Sequence, residues 1–333
     1  MSEAGVTREG LEGVRPGREA RTWSGTGAPS RRRREGPDDH PGTSYYGNPI
    51  INPPVWEELE IAGYLFAGGL AGASSIIAAG AQFTDRPVLA RRCKLCASAA
   101  ISVSLAALVK DLGRPERFLN MLRVFKPTSP MSVGVWILFF YGPLCFSSAA
   151  SDVTGVAPRS GRTAGGAAGL LGAAVASYTA ALVANTAVPA WHDGHREMPY
   201  LFVSSAASAG AGFGLLAAPL TENGPVQRLA VLGAAGELIA EQLLERRLGM
   251  VAETMRTGTA GRRLKAAKAL TAAGALGAAT LGRRSRVAAA LSGAALLTGS
   301  ALTRFGVFAA GMASAQDPRY TVEPQRARLD ASA

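Results

Sequence analysis

Long apolar blocks separated by short polar stretches run through most of this chain. Eight such blocks can be recognised, and most reach or approach the length of about 20 residues that a transmembrane helix needs. The charged residues concentrate at the borders of the blocks, where side chains would meet lipid headgroups. The pattern predicts an all-α integral membrane protein, a bundle of about eight transmembrane helices. The predicted segments are residues 61–83, 95–110, 131–150, 165–190, 198–220, 226–245, 265–282 and 287–313.

The two ends of the chain differ from the apolar blocks. Residues 1–43 include the four consecutive arginines Arg31–Arg34 but no apolar run, and they predict a disordered basic tail. The predicted transmembrane helical domain covers residues 44–315. Residues 316–333 are predicted to form a polar C-terminal tail.

Some of the eight segments fit a simple span less well than others. Segments 95–110 and 265–282 are short for a helix that crosses a bilayer. In segment 226–245, Glu237 and Glu241 lie four residues apart on one helix face. This segment is therefore either a span whose acidic face looks into the protein or an amphipathic helix that lies in the membrane interface.

Composition and charge agree with a membrane protein. The chain is 48% hydrophobic and 18% charged, which is little charge for a soluble protein of this apolarity. The net charge of +11 comes from basic residues at the block borders, so we expect a lipid bilayer and no nucleic acid as the partner of these charges. With eight spans, Lys and Arg are in excess on the side of the termini, which predicts a cell (cytoplasmic) membrane protein with cytoplasmic termini.

Cysteine and histidine usage bears on redox cofactors. Cys93 and Cys96 form a lone C-x-x-C pair and Cys145 lies inside an apolar block, too few thiolates for an iron–sulfur cluster or a structural zinc ion. His192 and His195 share one loop, so facing helices offer no pair of haem ligands. The sequence therefore predicts no intrinsic haem, iron–sulfur cluster or metal site.

The densest polar cluster lies between the second and third segments, from Lys110 to Lys126, and mixes both signs of charge. It has two interpretations. In the first interpretation, its basic side chains extend to the lipid headgroups, and Asp111 pairs with Arg114 one helical turn later. Alternatively it binds a quinone headgroup, which needs an apolar slot, a hydrogen-bond donor at each carbonyl and an ionisable group to handle protons. In the second interpretation Asp111 is the candidate catalytic residue for proton handling.

Further candidates lie near the same membrane border. Tyr178 and Asn185 are seven residues apart, which predicts a shared helix face. His192 follows in a polar loop, and Tyr64 lies near the start of the first block. Packing in the bundle interior explains these residues about as well as a ligand site does.

Three stretches together resemble one known family. They are PPVWEELEIAGYLFAGGLAGAS (residues 53–74), DLGRPERFLNMLRVFKPTSPMSVGVWIL (111–138) and YTAALVANTAVPAWHDGHREMPY (178–200). They are similar to the NrfD/PsrC family, the membrane subunits of polysulfide-reductase-type molybdenum or tungsten oxidoreductases. The resemblance covers about residues 45–315 and is weaker in the C-terminal half.

The resemblance implies an eight-helix protein that anchors a four-cluster iron–sulfur subunit and, through it, a molybdopterin catalytic subunit. It also implies electron exchange with menaquinone or another quinone, bound as a substrate in the first four-helix bundle. The implied quinone site maps onto this chain as Tyr64, Asp111, Arg114, Tyr178, Asn185 and His192.

Several functions stay open at this point. The chain would be a subunit of a respiratory oxidoreductase complex without the catalytic centre, whose substrate is formate, polysulfide or another sulfur compound, with formate the first expectation. A purely structural anchor without quinone chemistry is the alternative. A transporter would require broken helices in symmetric halves, and the sequence has no convincing internal repeat.

Overall fold

The computed structural model describes residues 5–7, 10–12, 50–111 and 120–330, and these fall into two units. The first unit contains a small antiparallel hairpin of strands β1 (Gly5–Thr7) and β2 (Gly10–Glu12). The second unit, Pro41–Ala333, is helical in its described part and contains all the features discussed below.

The first four long helices pack into one bundle, in which each contacts the next and the fourth returns to the first. Proline at the first turn, where no backbone N–H is needed, starts three of them. The third is also capped by Ser129, whose side chain accepts a hydrogen bond from the Ser132 N–H. The helices are α1 (Glu58–Phe83), α2 (Pro87–Asp111), α3 (Pro130–Thr154) and α4 (Pro158–Ala184).

A second bundle of four long helices follows, joined by short helices and turns. Its long helices are α6 (Met198–Ala217), α7 (Gly224–Leu248), α9 (Gly258–Ala279) and α10 (Arg286–Gln316). The short helices are α5 (Pro189–His192), α8 (Glu253–Arg256) and the C-terminal α11 (Arg319–Asp330).

Small residues bring the helices close together. A Cβ atom added to Gly72 of α1 would lie 2.4 Å from the carbonyl oxygen of Gly172 in α4. A Cβ atom added to Gly210 of α6 would lie 2.8 Å from that of Ala73. Glycine is thus required where α1 meets α4 and where the first bundle meets the second.

The long helices alternate in direction, which defines two sides of the protein. The terminal side contains the starts of α1, α3, α6 and α9, and there Glu58 forms an ion pair with Arg263 of α9. The opposite side contains the turns after α1, α3, α6 and α9, and there the Glu222 carboxylate accepts a hydrogen bond of 2.7 Å from the Leu89 N–H.

Among the described helices, six are long and apolar enough to cross a membrane: α1, α2, α3, α4, α6 and α10. This confirms a helical multi-pass membrane protein. Helices α7 and α9, with 25 and 22 residues, are similar in length but more polar, so the count of eight spans remains a prediction.

Helix bounds depart from the predicted segments by six residues or more at four helix ends, one of which is the start of α4 at Pro158 instead of residue 165. Helix α2 begins at Pro87, so the expectation of a short second helix over 95–110 is wrong. Helix α9 begins at Gly258, earlier than predicted for segment 265–282. Helix α4 ends at Ala184, whereas the fourth segment was predicted to reach residue 190.

Candidate functional site

Two tyrosines meet inside the first bundle, near its terminal side. Tyr64 of α1 and Tyr178 of α4 are 2% and 9% exposed, and their hydroxyl groups share a hydrogen bond. The Ser104 hydroxyl of α2 donates a hydrogen bond of 3.1 Å to the Tyr64 carbonyl oxygen. The sequence predicted both tyrosines as site residues, and the structure brings them together across 114 residues of chain.

Helix α3 completes this arrangement through Gly134. A Cβ atom at Gly134 would lie 2.4 Å from Cε2 of Tyr178 and 2.7 Å from its Cδ2. The aromatic ring therefore lies directly against the backbone of α3. Any larger residue at this position would displace the ring.

A cleft of about 210 Å³ opens beside the first turn of α3. It begins one helical turn before Gly134, the residue that packs on Tyr178. Sequence reasoning singled out Lys126 in this region but missed the other polar members, because hydroxyl and amide side chains in a loop are common and carry no distinct signal. The cleft is lined by Asn120, Met121, Val124, Lys126, Ser129, Met131 and Ser132.

Charged side chains connect the helices at the terminal side. Lys110 Nζ lies 2.6 Å from Oε1 of Glu60, which is 6% exposed. The Asp111 carboxylate accepts a hydrogen bond of 3.4 Å from the Glu57 N–H. Arg114, the predicted partner of Asp111 and a predicted site residue, lies outside the described residues.

The other two predicted site residues lie away from the tyrosine pair. Asn185 is the exposed C-cap of α4, so the expectation that it shares a helix face with Tyr178 is wrong. His192 is exposed at the end of α5, and its ring lies 6.3 Å from the ring of His195. Both side chains are exposed, unlike the buried tyrosine pair.

Trp191, next to His192, is buried where the two bundles meet. Its indole N–H donates a hydrogen bond of 2.9 Å to the Val307 carbonyl oxygen, and Trp56 stacks on it with 5.8 Å between ring centroids. A Cβ atom at Gly311 would lie 1.9 Å from this indole. The turn after α4 thus anchors the bundles to one another.

The three cysteines Cys93, Cys96 and Cys145 are free and buried. The Ser74 hydroxyl donates a hydrogen bond of 3.5 Å to the Cys96 sulfur. Among residues 50–111 and 120–330, no group of three or more His, Cys, Asp or Glu side chains is placed to hold a metal ion.

Comparison with known proteins identifies a family. The family model described as "Polysulphide reductase, NrfD" matches residues 48–313, a range that includes the tyrosine pair, the cleft and all but the last residues of the two bundles. No curated protein matches the chain.

Proposed function

The chain belongs to the NrfD (polysulphide reductase) family, and from this premise we propose that it is the membrane anchor and quinone-reactive subunit of a molybdopterin oxidoreductase complex. Electrons pass between a quinone in the bilayer and an iron–sulfur partner subunit with four clusters. That partner connects to the molybdopterin subunit, where formate, polysulfide or another sulfur compound reacts.

The buried pair Tyr64 and Tyr178 is the observation that carries this proposal. A quinone is apolar apart from its two carbonyl oxygens, which accept hydrogen bonds. A phenol hydroxyl inside an apolar bundle supplies a donor of this kind. The pair lies one turn of α3 from the cleft beside Met131, so the headgroup enters through the cleft and displaces one tyrosine hydroxyl from the other.

Asp111 and the ion pair of Lys110 with Glu60 take up and release the protons of the proposed reaction. Oxidation of a quinol transfers two electrons to the iron–sulfur partner and releases two protons. Reduction of a quinone takes up two electrons and two protons. Asp111 ends α2 at the terminal side, where a carboxylate exchanges protons with water. Its backbone hydrogen bond with Glu57 holds it beside the start of α1.

Conservative removal of the hydroxyls tests the proposal. We expect Tyr178→Phe and Tyr64→Phe each to lower quinol-linked turnover by about tenfold or more, since one hydrogen bond to the headgroup is lost. A soluble dye that exchanges electrons with the iron–sulfur partner serves as the control, and its rate should not change. The matched control variant is Tyr200→Phe, because Tyr200 is 72% exposed on α6.

A structural anchor without quinone chemistry is the second candidate. It is favoured by the fact that the two tyrosine hydroxyls satisfy one another without a ligand. In that case the tyrosine variants would not differ from the wild type in quinol-linked turnover, whether that rate is zero or arises elsewhere in the complex, and they would lose only thermal stability. That result would reject the quinone site and leave the anchor function in place.

A further inference from the structure

Three charged side chains are buried in the second bundle, away from the tyrosine pair. Glu237 and Glu241 of α7 and Arg304 of α10 are 2%, 1% and 1% exposed. Charged groups inside a membrane protein are costly, and they are found where they pair, bind water or move protons. The polar partners of these three groups therefore decide their role.

Two of these groups, Glu237 and Arg304, have polar atoms without a hydrogen-bond partner among the described residues. Glu237 Oε1 accepts a hydrogen bond of 2.7 Å from the Thr303 hydroxyl. Arg304 Nη2 donates one of 2.6 Å to the Phe202 carbonyl oxygen, and its guanidinium lies 3.8 Å from the centre of the Phe202 ring. Among the described residues, no hydrogen-bond partner is present for Glu237 Oε2 or for Nε and Nη1 of Arg304.

These unpartnered atoms argue against a fixed ion pair between Glu237 and Arg304. Within the described part of the chain, no carboxylate lies within 4.0 Å of the Arg304 guanidinium. Buried polar atoms left without a protein partner in this way are usually hydrogen-bonded to internal water. A carboxylate that lacks its counterion in such a setting also takes up a proton readily.

The cluster continues outward along one face of α7. Glu237, Glu241 and Glu245 are spaced four residues apart, about 6 Å per step along the helix. Lys268 Nζ of α9 lies 3.4 Å from Glu241 Oε1 and 2.7 Å from Glu245 Oε1. Glu245 also pairs with Arg256 of α8 at 2.8 Å. Exposure is 2% at Glu237 and 1% at Glu241, and it then rises to 14% at Glu245 and 58% at Arg256.

The inner end of the cluster reaches the first bundle. A Cβ atom at Gly69 of α1 would lie 3.5 Å from Arg304 Nη2. Gly69 follows Tyr64 by five residues, about 7.5 Å along the helix. The series of ionisable groups therefore extends from the interface between the bundles to the terminal side of the protein.

We propose that Glu237 and Glu241 form a proton path between this interface, at Arg304, and the terminal side, at Glu245 and Lys268. Water at the unpartnered atoms links the carboxyl groups. An incoming proton passes from the terminal side to Glu241 and then to Glu237, and an outgoing proton takes the reverse route. Helix α6 faces Glu237 with the hydroxyls of Ser205 and Ser208. In the part of the chain that the structure describes, the charged groups found around the path are Arg304, Lys268, Glu245 and Arg256.

Infrared spectroscopy of the purified complex tests the path without relying on quinone turnover. We expect the wild type to show the C=O stretch of a protonated, buried carboxyl group that shifts when H₂O is replaced by D₂O. Glu237→Gln should remove this band. Glu241→Gln should keep the band and slow its deuterium exchange by about tenfold or more, because a positioned group that relays the proton is lost. The control is Glu253→Gln, at an exposed glutamate on the same side. This variant should change neither the carboxyl band nor its rate of deuterium exchange.

Lys268→Met covers the case in which a glutamate variant does not fold, because it leaves both carboxyl groups in place. We expect it to slow exchange of the Glu237 band as Glu241→Gln does. Wild-type exchange rates in Glu241→Gln or Lys268→Met, or a wild type without the Glu237 band, would overturn the path. These measurements need no quinone, so they would still test the proton path if the tyrosine pair proved not to bind quinone. Likewise, loss of the proton path would leave the test of the tyrosine pair unaffected.

Discussion

At the scale of single residues, Asp111 carries the sharpest prediction about the tyrosine site. We expect Asp111→Asn to slow quinol-linked turnover by about a hundredfold, the effect of losing a positioned proton carrier. The complex should still assemble, because the asparagine oxygen can accept the same hydrogen bond from the Glu57 N–H. Steady-state quinol rates in membranes are the measurement.

The matched control for Asp111 is Asp85→Asn. Asp85 is exposed on the opposite side and has a left-handed backbone, a conformation that asparagine also tolerates. We expect its quinol rate to equal that of the wild type. Equal rates in both variants would exclude a proton-handling role for Asp111.

Gly311 offers a prediction about stability. Its missing side chain makes room for the Trp191 indole, so Gly311→Ala should lower the free energy of unfolding by about 1–3 kcal/mol through overpacking. Gly80→Ala is the control, because nothing lies within 4 Å of a Cβ atom at Gly80 of α1. There we expect a neutral or stabilising effect, up to about 1 kcal/mol. Thermal unfolding of the two purified variants makes the comparison, and a Gly311→Ala protein as stable as Gly80→Ala would contradict it.

Single residues also show what the sequence can and cannot predict. Tyr64 and Tyr178 stand out as polar aromatics in apolar blocks, but their contact depends on how α1 and α4 pack, which no local pattern contains. Asn185 was misplaced because α4 ends before it. Pro189 disfavours a helical backbone at Val188, and this signal was available in the sequence.

At the scale of helices, charge inside a helix was the main source of error in the predicted bounds. Arg91, Arg92 and Lys94 interrupt the apolar pattern, so the predicted second segment begins only at residue 95. In the structure Lys94 is 5% exposed and pairs with Asp152 at 3.0 Å, which stabilises a charge inside the bundle. Pro87 was the better marker of the helix start.

Helix α7 is the element whose relation to the membrane can be decided directly. Its 25 residues extend over about 37 Å, and its carboxylates face the bundle instead of the outside. We therefore expect it to span the membrane. Cysteines placed at Thr221 and Met250, both exposed, should be labelled by an impermeant reagent from opposite sides.

The native cysteines do not interfere with this labelling, since all three are free and buried. Labelling of both positions from the same side would instead show that α7 lies along the membrane surface. It would remove the eight-span count and the route proposed for protons through Glu237 and Glu241.

At the scale of the whole molecule, the terminal side brings three features together. The cleft beside α3, the Asp111 end of α2 and the outer end of the proposed proton path all lie there. Electron transfer requires a short distance between cluster and quinone, so a partner that exchanges electrons with the tyrosine site should bind on this side. If the termini are cytoplasmic, as the charge bias predicts, this partner would bind at the cytoplasmic face.

Residues 123–126 form the best candidate docking surface on the terminal side. Val124 and Phe125 are 66% and 59% exposed, and Arg123 and Lys126 are exposed beside them. The Phe125 ring packs edge to face against the Trp136 ring of α3. An exposed apolar pair flanked by basic side chains is typical of a protein interface.

Photo-crosslinking tests this docking surface. A photoreactive residue at Phe125 should crosslink to the iron–sulfur partner in the intact complex, and raised salt during assembly should weaken the interaction because Arg123 and Lys126 flank the contact. The same residue at Leu281, which is 68% exposed on the opposite side, is the matched control and should give no crosslink to the partner. Each position offers an exposed apolar side chain two residues from an arginine, so chemistry alone would not distinguish them. A crosslink from Leu281 without one from Phe125 would move the partner to the opposite side and separate it from Asp111 and the tyrosine pair by the thickness of the bundle.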